Sequence, residues 1–323
     1  MKFFFLLCFF VAWAKLRSVF TEESSQQLTP LSEEHADPPA TVLAEEVQRT
    51  PTPQPVDWWR QWFDVGTAVL IWLISVILLV FVPVIIALPY MIYRIVTAGG
   101  AISPEAIGSD KTLLFLSVLG ILPTHLLTLV IAWMVVSEGG KRPFWKIIGF
   151  DWPEGTNKKI GTLLSVGLAL ALLGLAYLVT NFFGGQKTQL DLLIESSLAT
   201  RFATAFVAFA TAPLVEEVIY RGVLYPAVEK VGRTVMLVLN PALEKPLGMG
   251  IAVTFVSLLF AGVHVFQYYN NISVILVITI LSFTLTTVRA ITGKVYPAFI
   301  IHLVFNGIQS IFLVLAPFLE KLS

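Results

Sequence analysis

The chain has few charged residues and almost no cysteine. Only 13% of its 323 residues are charged, against about 25% in a typical soluble domain, and 56% are hydrophobic. The single cysteine, Cys8, excludes an intrachain disulfide framework and a cysteine-based metal cluster. Basic and acidic residues number 21 each, so no excess of positive charge favours nucleic acid as a partner. This composition indicates a protein whose surroundings are a lipid bilayer.

Several motifs of known proteases are also missing. The sequence has no H-E-x-x-H, which excludes the helical zinc-protease site, and no G-x-S-x-G, which excludes a nucleophile-elbow serine. No pair of aspartates lies in the middle of an apolar run, and Cys8 has no histidine near it in sequence. With only four histidines in the chain, any histidine site has few members to choose from.

What the sequence does contain is a series of long apolar runs. A helix needs about 20 apolar residues to cross a bilayer, and seven runs meet this length. The sequence therefore predicts an all-α fold, a polytopic membrane helical bundle of about seven transmembrane helices. We place these near 65–93, 112–136, 160–183, 202–226, 249–268, 272–290 and 296–317.

The N-terminal part divides into an apolar segment, 1–20, and an acidic proline-rich tail, 21–57. The apolar segment contains an A-x-A pattern typical of signal-peptide cleavage. However, Lys15 and Arg17 follow at once, and basic residues after an apolar run tend to stay in the cytoplasm. A cleaved signal, an anchor and a misassigned start therefore stay open. The tail has almost no aromatic residues and is predicted to be disordered.

The rest of the chain is divided into a first transmembrane hairpin region, 58–110, and a core, 111–318. Within the core we predict a short amphipathic surface helix at 191–200 and a loop at 228–248. Lysine and arginine are unevenly distributed between the two ends of the predicted spans, ten against five. Because basic loops stay in the cytoplasm, the distribution predicts a multi-pass protein of the cell membrane with a cytoplasmic N-terminal tail.

The most unusual stretch is APLVEEVIYRGVLYP, residues 212–226, because it carries three charges inside an apolar run. Each ionisable group at membrane depth costs roughly 2.5–3.5 kcal/mol, so such groups usually mark function. In a helix, Glu217 and Arg221 are one turn apart and can form a structural pair. Glu216 points about 100° away, which leaves its carboxylate available for chemistry.

Three further polar side chains lie in predicted spans. His264 follows Phe260 by four residues, and Asn306 follows His302 by four, so each pair lies on one helix face. Together with Glu216 they predict a polar cluster drawn from three spans. His125, in the second predicted span, is either a structural residue or part of the same cavity.

This cluster suits hydrolysis. Burial raises the pKa of a carboxyl group, which makes it a competent general base near neutral pH, and a neighbouring histidine can help to hold a water. A second imidazole and a side-chain amide are donors of the kind that an oxyanion hole needs. Glu216, His264 and His302 could equally hold one zinc ion with a water as the fourth ligand.

The three motifs, Glu216-Glu217-x-x-x-Arg221, Phe260-x-x-x-His264 and His302-x-x-x-Asn306, resemble the signature of the CPBP family over roughly residues 110–315. These are the CAAX-processing and bacteriocin-processing intramembrane endopeptidases, also called the Abi family. The resemblance implies that Glu216 and His264 activate the water and that His302 and Asn306 stabilise the oxyanion. It assigns Glu217, Arg221 and Phe260 supporting roles.

The resemblance also bears on cofactor and substrate. The family is often labelled metalloprotease, but asparagine is a poor zinc ligand and a good amide donor, so we expect no cofactor and keep zinc as the alternative. The expected substrate is a peptide or membrane protein.

Two reservations follow from the spacing and the chemistry. A non-catalytic binding, immunity or scaffold protein could use the same polar cavity, whereas a transporter is disfavoured because no internal repeat is visible. With straight spans, Glu216 and His264 are expected to differ in depth by on the order of 10 Å. If this difference persists in the fold, the shared site is wrong.

Overall fold

The computed structural model describes residues 58–100 and 103–319, and this part of the chain contains seven helical spans and no strand. The predicted all-α polytopic bundle is thereby confirmed. The predicted apolar segment and tail, 1–57, lie outside the described residues. The compact unit Gln61–Ser323 holds all seven spans. Spans 1 to 7 are, in order, Asp64–Thr97, Lys111–Val136, Lys158–Phe183, Leu198–Leu239, Pro241–Val265, Ile272–Thr292 and Tyr296–Leu319.

The spans are built from helices of several kinds. The α-helices are Trp58–Thr97, Pro104–Gly108, Lys111–Leu119, Ile121–Val136, Phe144–Ile147, Lys158–Phe183, Gln189–Ser196, Leu198–Phe206, Ala212–Glu216, Tyr225–Leu239, Glu244–Tyr268, Ile272–Thr292 and Tyr296–Leu319. Span 4 also contains two π-helical stretches, Val207–Thr211 and Glu217–Leu224, and a 3-10 turn, Pro241–Leu243, joins it to span 5. π-Helical stretches are rare and occur frequently at functional sites.

Spans 4 and 5 form one long helical hairpin, and the loop predicted at 228–248 is wrong. Span 4 has 42 residues, about twice the roughly 20 that are needed to cross a bilayer core. Its C-terminal part is helical and packs against span 5, where two glycines face each other. A Cβ atom built on Gly232 would lie 3.1 Å from the carbonyl oxygen of Gly248, so the two backbones are in close contact there.

The hairpin fixes which residues of the two spans meet. The chain turns at Asn240, and residues equally distant from it face each other. Tyr220 and Phe260 are each twenty residues from the turn, and their ring centroids are 4.9 Å apart. Glu216 and His264 are each twenty-four residues from the turn, so the same register brings them to one level. Glu216 and His264 both line one cavity, so the expected depth difference does not keep them apart.

A short surface helix, Gln189–Ser196, precedes span 4. It begins two residues before the predicted start at 191 and ends four residues before the predicted end at 200. It begins with a capping box, in which the Thr188 backbone N–H donates to Asp191 at 2.7 Å and the Asp191 N–H donates to the Thr188 hydroxyl at 3.3 Å. It ends at Ser197, whose extended backbone separates it from the first helix of span 4.

The most tightly packed part of the bundle is the middle of span 4. Nine consecutive residues, Glu217–Tyr225, are buried. Gly222 allows Ile148, from the loop after span 2, to pack directly on the helix, since a Cβ atom there would lie 3.1 Å from the Ile148 Cβ. This layer closes one end of the bundle, and the charged pair of span 4 lies within it.

Candidate active site

The four side chains predicted to form a cluster line a single cavity of about 420 Å³. Glu216 comes from span 4, His264 from span 5, and His302 and Asn306 from span 7. Phe260, predicted to support them, lines the cavity as well. The structure therefore brings together every residue to which sequence reasoning gave a catalytic role.

The predicted pair of Glu217 and Arg221 is present and completely buried. The Arg221 Nη1 atom donates to Glu217 Oε1 at 3.0 Å, and neither side chain has any exposed surface. Removing one member of such a pair leaves an uncompensated buried charge and typically costs about 3–5 kcal/mol. The pair is thus a structural centre of the bundle.

Arg221 is held by span 6 in a way that sequence reasoning missed. Its guanidinium donates to the Ser282 hydroxyl at 2.9 Å, to the Ser282 carbonyl at 3.2 Å and to the Thr286 hydroxyl at 3.3 Å. It also lies over the Phe260 ring, 4.7 Å from the centroid. Ser282 and Thr286 are four residues apart in an apolar run, and this spacing was the available signal.

The second finding missed by sequence reasoning is that Glu217 also holds His302. The His302 Nδ1 atom lies 2.9 Å from Glu217 Oε1, and His302 is only 2% exposed. Because an ionised carboxylate only accepts hydrogen bonds, Nδ1 carries the proton in this contact. Glu217 therefore links the Arg221 charge to the orientation of His302.

His302 lies between the two adjacent glutamates. Its Nε2 atom is 3.6 Å from Glu216 Oε2, on the side opposite Glu217. The Glu216 side chain is 24% exposed, whereas that of Glu217 has no exposed surface. Two neighbouring carboxylates thus have opposite surroundings, one inside the packed layer and one at the cavity.

His264 is oriented by its own helix. Its Nδ1 atom donates to the Phe260 carbonyl oxygen at 2.8 Å, since a carbonyl can only accept. Its ring lies 4.7 Å from the Phe260 ring. These contacts leave Nε2 as the nitrogen available to a water or substrate in the cavity.

Asn306 is fixed against the first π-helical stretch of span 4. Its Nδ2 atom donates to the Ala208 carbonyl oxygen at 3.0 Å. An amide nitrogen has two N–H groups, so the second remains for another acceptor.

His125 approaches the same stretch, with its Nδ1 atom 2.8 Å from the Thr211 hydroxyl, and also lines the cavity. His125 was predicted to be either a structural residue or part of the cavity, and in the structure it both bonds Thr211 and lines the cavity.

Tyr268 lies just beyond the end of span 5 and also lines the cavity. Burial, followed by the negative charges of Glu216 and Asp191, raises the pKa of Tyr268 to about 12. The hydroxyl therefore keeps its proton at neutral pH and is a donor.

The donor set does not fit the zinc site considered from sequence. Among the residues that the structure describes, no group of three or more His, Cys, Asp or Glu side chains is arranged to hold a metal ion. Zinc requires ligand distances of about 2.0–2.2 Å to imidazole and carboxylate. The bond between His302 Nδ1 and Glu217 does not bear on this question, because metal-binding histidines commonly donate their other ring N–H to a carboxylate. No catalytic step is derived through a metal ion.

Comparison with known proteins supports the resemblance found in the motifs. A family model described as type II CAAX prenyl endopeptidase Rce1-like, which belongs to the CPBP family, matches residues 198–308. Residues 198–308 are similar to this family. The match is narrower than the predicted 110–315, but it includes all seven residues of the three motifs. It supports an intramembrane endopeptidase of CAAX type in general.

Neither the comparison with curated proteins nor that with solved structures finds a match.

Proposed function

We propose that this protein is an intramembrane endopeptidase that hydrolyses a peptide bond with a water activated by Glu216 and His264. The observation that carries this proposal is that one of two adjacent glutamates is buried in an ion pair and the other borders the cavity. Glu217 is fully enclosed by Arg221 and His302, and Glu216 borders the cavity. Glu217 is thus structural, and Glu216 is the carboxylate that can reach a substrate.

In this proposal, Glu216 and His264 act on the same water. Glu216 accepts a proton from the water as the oxygen attacks the peptide carbonyl, and later delivers it to the leaving amine. His264 has Nδ1 fixed on the Phe260 carbonyl, so its Nε2 can hold the same water. General acid–base catalysis of this kind contributes about 10²–10⁴-fold.

The oxyanion is stabilised by His302 and Asn306. With its Nδ1 proton held by Glu217, His302 donates from Nε2 only as the imidazolium, whose charge the two glutamates balance. Asn306 contributes the N–H that does not bond Ala208. One oxyanion-hole donor is typically worth about 2.7–4 kcal/mol in the transition state.

The same arrangement supports a reaction that needs no metal. Arg221 compensates the charge of Glu217 within the packed layer, so this pair needs no metal ion. We therefore expect cleavage to be unchanged by a chelator and by added zinc. Loss of activity in chelator, restored by one metal ion at a stoichiometry of one per chain, would contradict this part of the proposal.

The test is a comparison of N-terminal peptides in membranes that contain the wild-type protein or the Glu216→Gln variant. We expect new termini only with the wild type, and their sequences identify the substrate. The two proteins must be equally abundant, and a His264→Ala variant serves as a second inactive form. Identical sets of termini in all three would favour the non-catalytic binding protein instead.

A further inference from the structure

The cavity is closed at one end and open at the other. Its floor is formed by Glu216 and His302, directly above the buried layer Glu217–Tyr225. Its other end is lined by the exposed side chains of Thr180 and Gln267. Thr180 is near the C-terminal end of span 3, and Gln267 is just beyond the C-terminal end of span 5.

These ends share one face of the membrane. Consecutive spans run in opposite directions, so the ends of spans 3 and 5 lie on the face where span 4 begins. The surface helix Gln189–Ser196 is on this face as well and contributes Leu190 and Leu193 to the cavity lining. We call this the mouth face. A substrate must approach the catalytic residues from here, because the opposite end is filled by packed side chains.

A track along span 4 connects the mouth to the floor. Thr204, Ala208, Ala212 and Glu216 follow one another at intervals of four residues, and all four line the cavity. The two alanines leave room for a peptide to lie against the helix. The Thr204 hydroxyl is buried and has no hydrogen-bond partner within the described part of the chain, and the residue is only 9% exposed. Because this hydroxyl has almost no accessible surface, Thr204 belongs to the packed wall at the start of the track.

The two faces of the membrane differ sharply in charge. Among residues 61–100 and 103–319, ten basic residues are on the side of the bundle opposite the mouth, and four are on the mouth face. Basic loops are retained in the cytoplasm, which favours an extracytoplasmic mouth face. The ten are Lys141, Arg142, Lys146, Lys158, Lys159, Lys230, Arg233, Lys245, Arg289 and Lys294, and the four are Arg94, Lys111, Lys187 and Arg201.

We infer that the cavity takes its substrate from the extracytoplasmic face of the membrane, along the Thr204–Glu216 track. The substrates are then peptide segments of membrane or secreted proteins that lie on that face, and not segments in the cytoplasm. This inference rests on the proposed function, because it names the substrates of the same site.

Cysteine labelling tests the direction of access without any knowledge of the substrate. Because Cys8 is the only native cysteine, a Cys8→Ser background is free of thiols. Single variants are then made in the cavity (Ala212→Cys), at the mouth (Gln267→Cys) and in a basic loop (Lys141→Cys). Each is treated with a membrane-impermeant maleimide in sealed right-side-out and inside-out vesicles.

We expect the cavity and mouth variants to react at least 10-fold faster in right-side-out vesicles, and the Lys141→Cys variant to show the reverse. Reaction of the cavity variant from the same side as Lys141→Cys, or from neither side, would overturn the inference. Reaction of Lys141→Cys in right-side-out vesicles would overturn the assignment of the faces. If Ala212→Cys does not fold, Ala208→Cys probes the same track, because Ala208 is half-buried and also lines the cavity.

The outcome is separable from the proposed proteolysis. The labelling pattern should be the same when Glu216→Gln is added, because access does not depend on cleavage. If the expected labelling is found but wild type generates no new termini, only the proposed function fails. If wild type cleaves substrates whose cut sites lie in the cytoplasm, only the present inference fails.

Discussion

The two adjacent glutamates offer a matched experiment, since the same substitution at each should have opposite consequences. Glu217→Gln removes the charge that faces both Arg221 and His302 inside the packed layer. Breaking a buried ion pair costs about 3–5 kcal/mol, so we expect a loss of this size in the free energy of unfolding. Glu216→Gln removes a charge at the cavity, where the side chain is 24% exposed, and should change stability by less than about 1 kcal/mol.

The assay is unfolding by sodium dodecyl sulfate titration in mixed micelles, combined with cleavage at saturating substrate. Glu216→Gln should retain stability and lose at least about 10²-fold in cleavage rate, since the general base is gone. Glu217→Gln should lose stability, and its remaining folded fraction should cleave more slowly because His302 is no longer held. Equal losses of stability in the two variants would refute the reasoning, as would full stability of Glu217→Gln.

Three further outcomes follow from the same contacts. Glu217→Gln, Arg221→Met and the double variant form a double-mutant cycle. Because the two residues share a buried contact, the loss of unfolding free energy in the double variant should differ from the sum of the two single losses by more than about 1 kcal/mol. Additive losses would mean that the pair is not coupled. Gly248→Ala should destabilise the hairpin by about 1–3 kcal/mol in the same titration, because its Cβ atom would lie 2.6 Å from a backbone nitrogen. Gly250→Ala should be tolerated, because nothing lies within 4 Å of its Cβ position. Similar losses in the two variants would contradict the way spans 4 and 5 are paired. Asn306→Ala should lower the cleavage rate about 10²–10³-fold with little change in substrate affinity, which steady-state kinetics can separate; a pure affinity loss would remove Asn306 from the oxyanion role.

The part of the site that depends on spacing along one helix was predictable from sequence. The pairs Glu217–Arg221, Phe260–His264 and His302–Asn306 each lie one turn apart, and helical geometry alone puts each pair on one face. A shared polar cavity was predicted from the cost of burying polar groups, and Phe260, His264, His302 and Asn306 line one cavity. Glu217 and Arg221 lie in the packed layer instead.

The parts that depend on contacts between spans were not predictable. The bond from Glu217 to His302 joins residues 85 positions apart, and the spacing of neither motif indicates it. The hairpin was missed because the region around Asn240 contains residues typical of a loop. Once Gly232 and Gly248 are known to face each other, the meeting of Glu216 and His264 follows by counting.

The measurement that tests the central claim most directly is the cleavage rate of the Glu216→Gln/His264→Ala double variant beside the two single variants. Residues that act as one unit have strongly non-additive effects on catalysis. If both hold the same water, the double variant should be no slower than the slower single variant. Losses that multiply, at unchanged stability, would mean that Glu216 and His264 act in separate steps and would contradict the account.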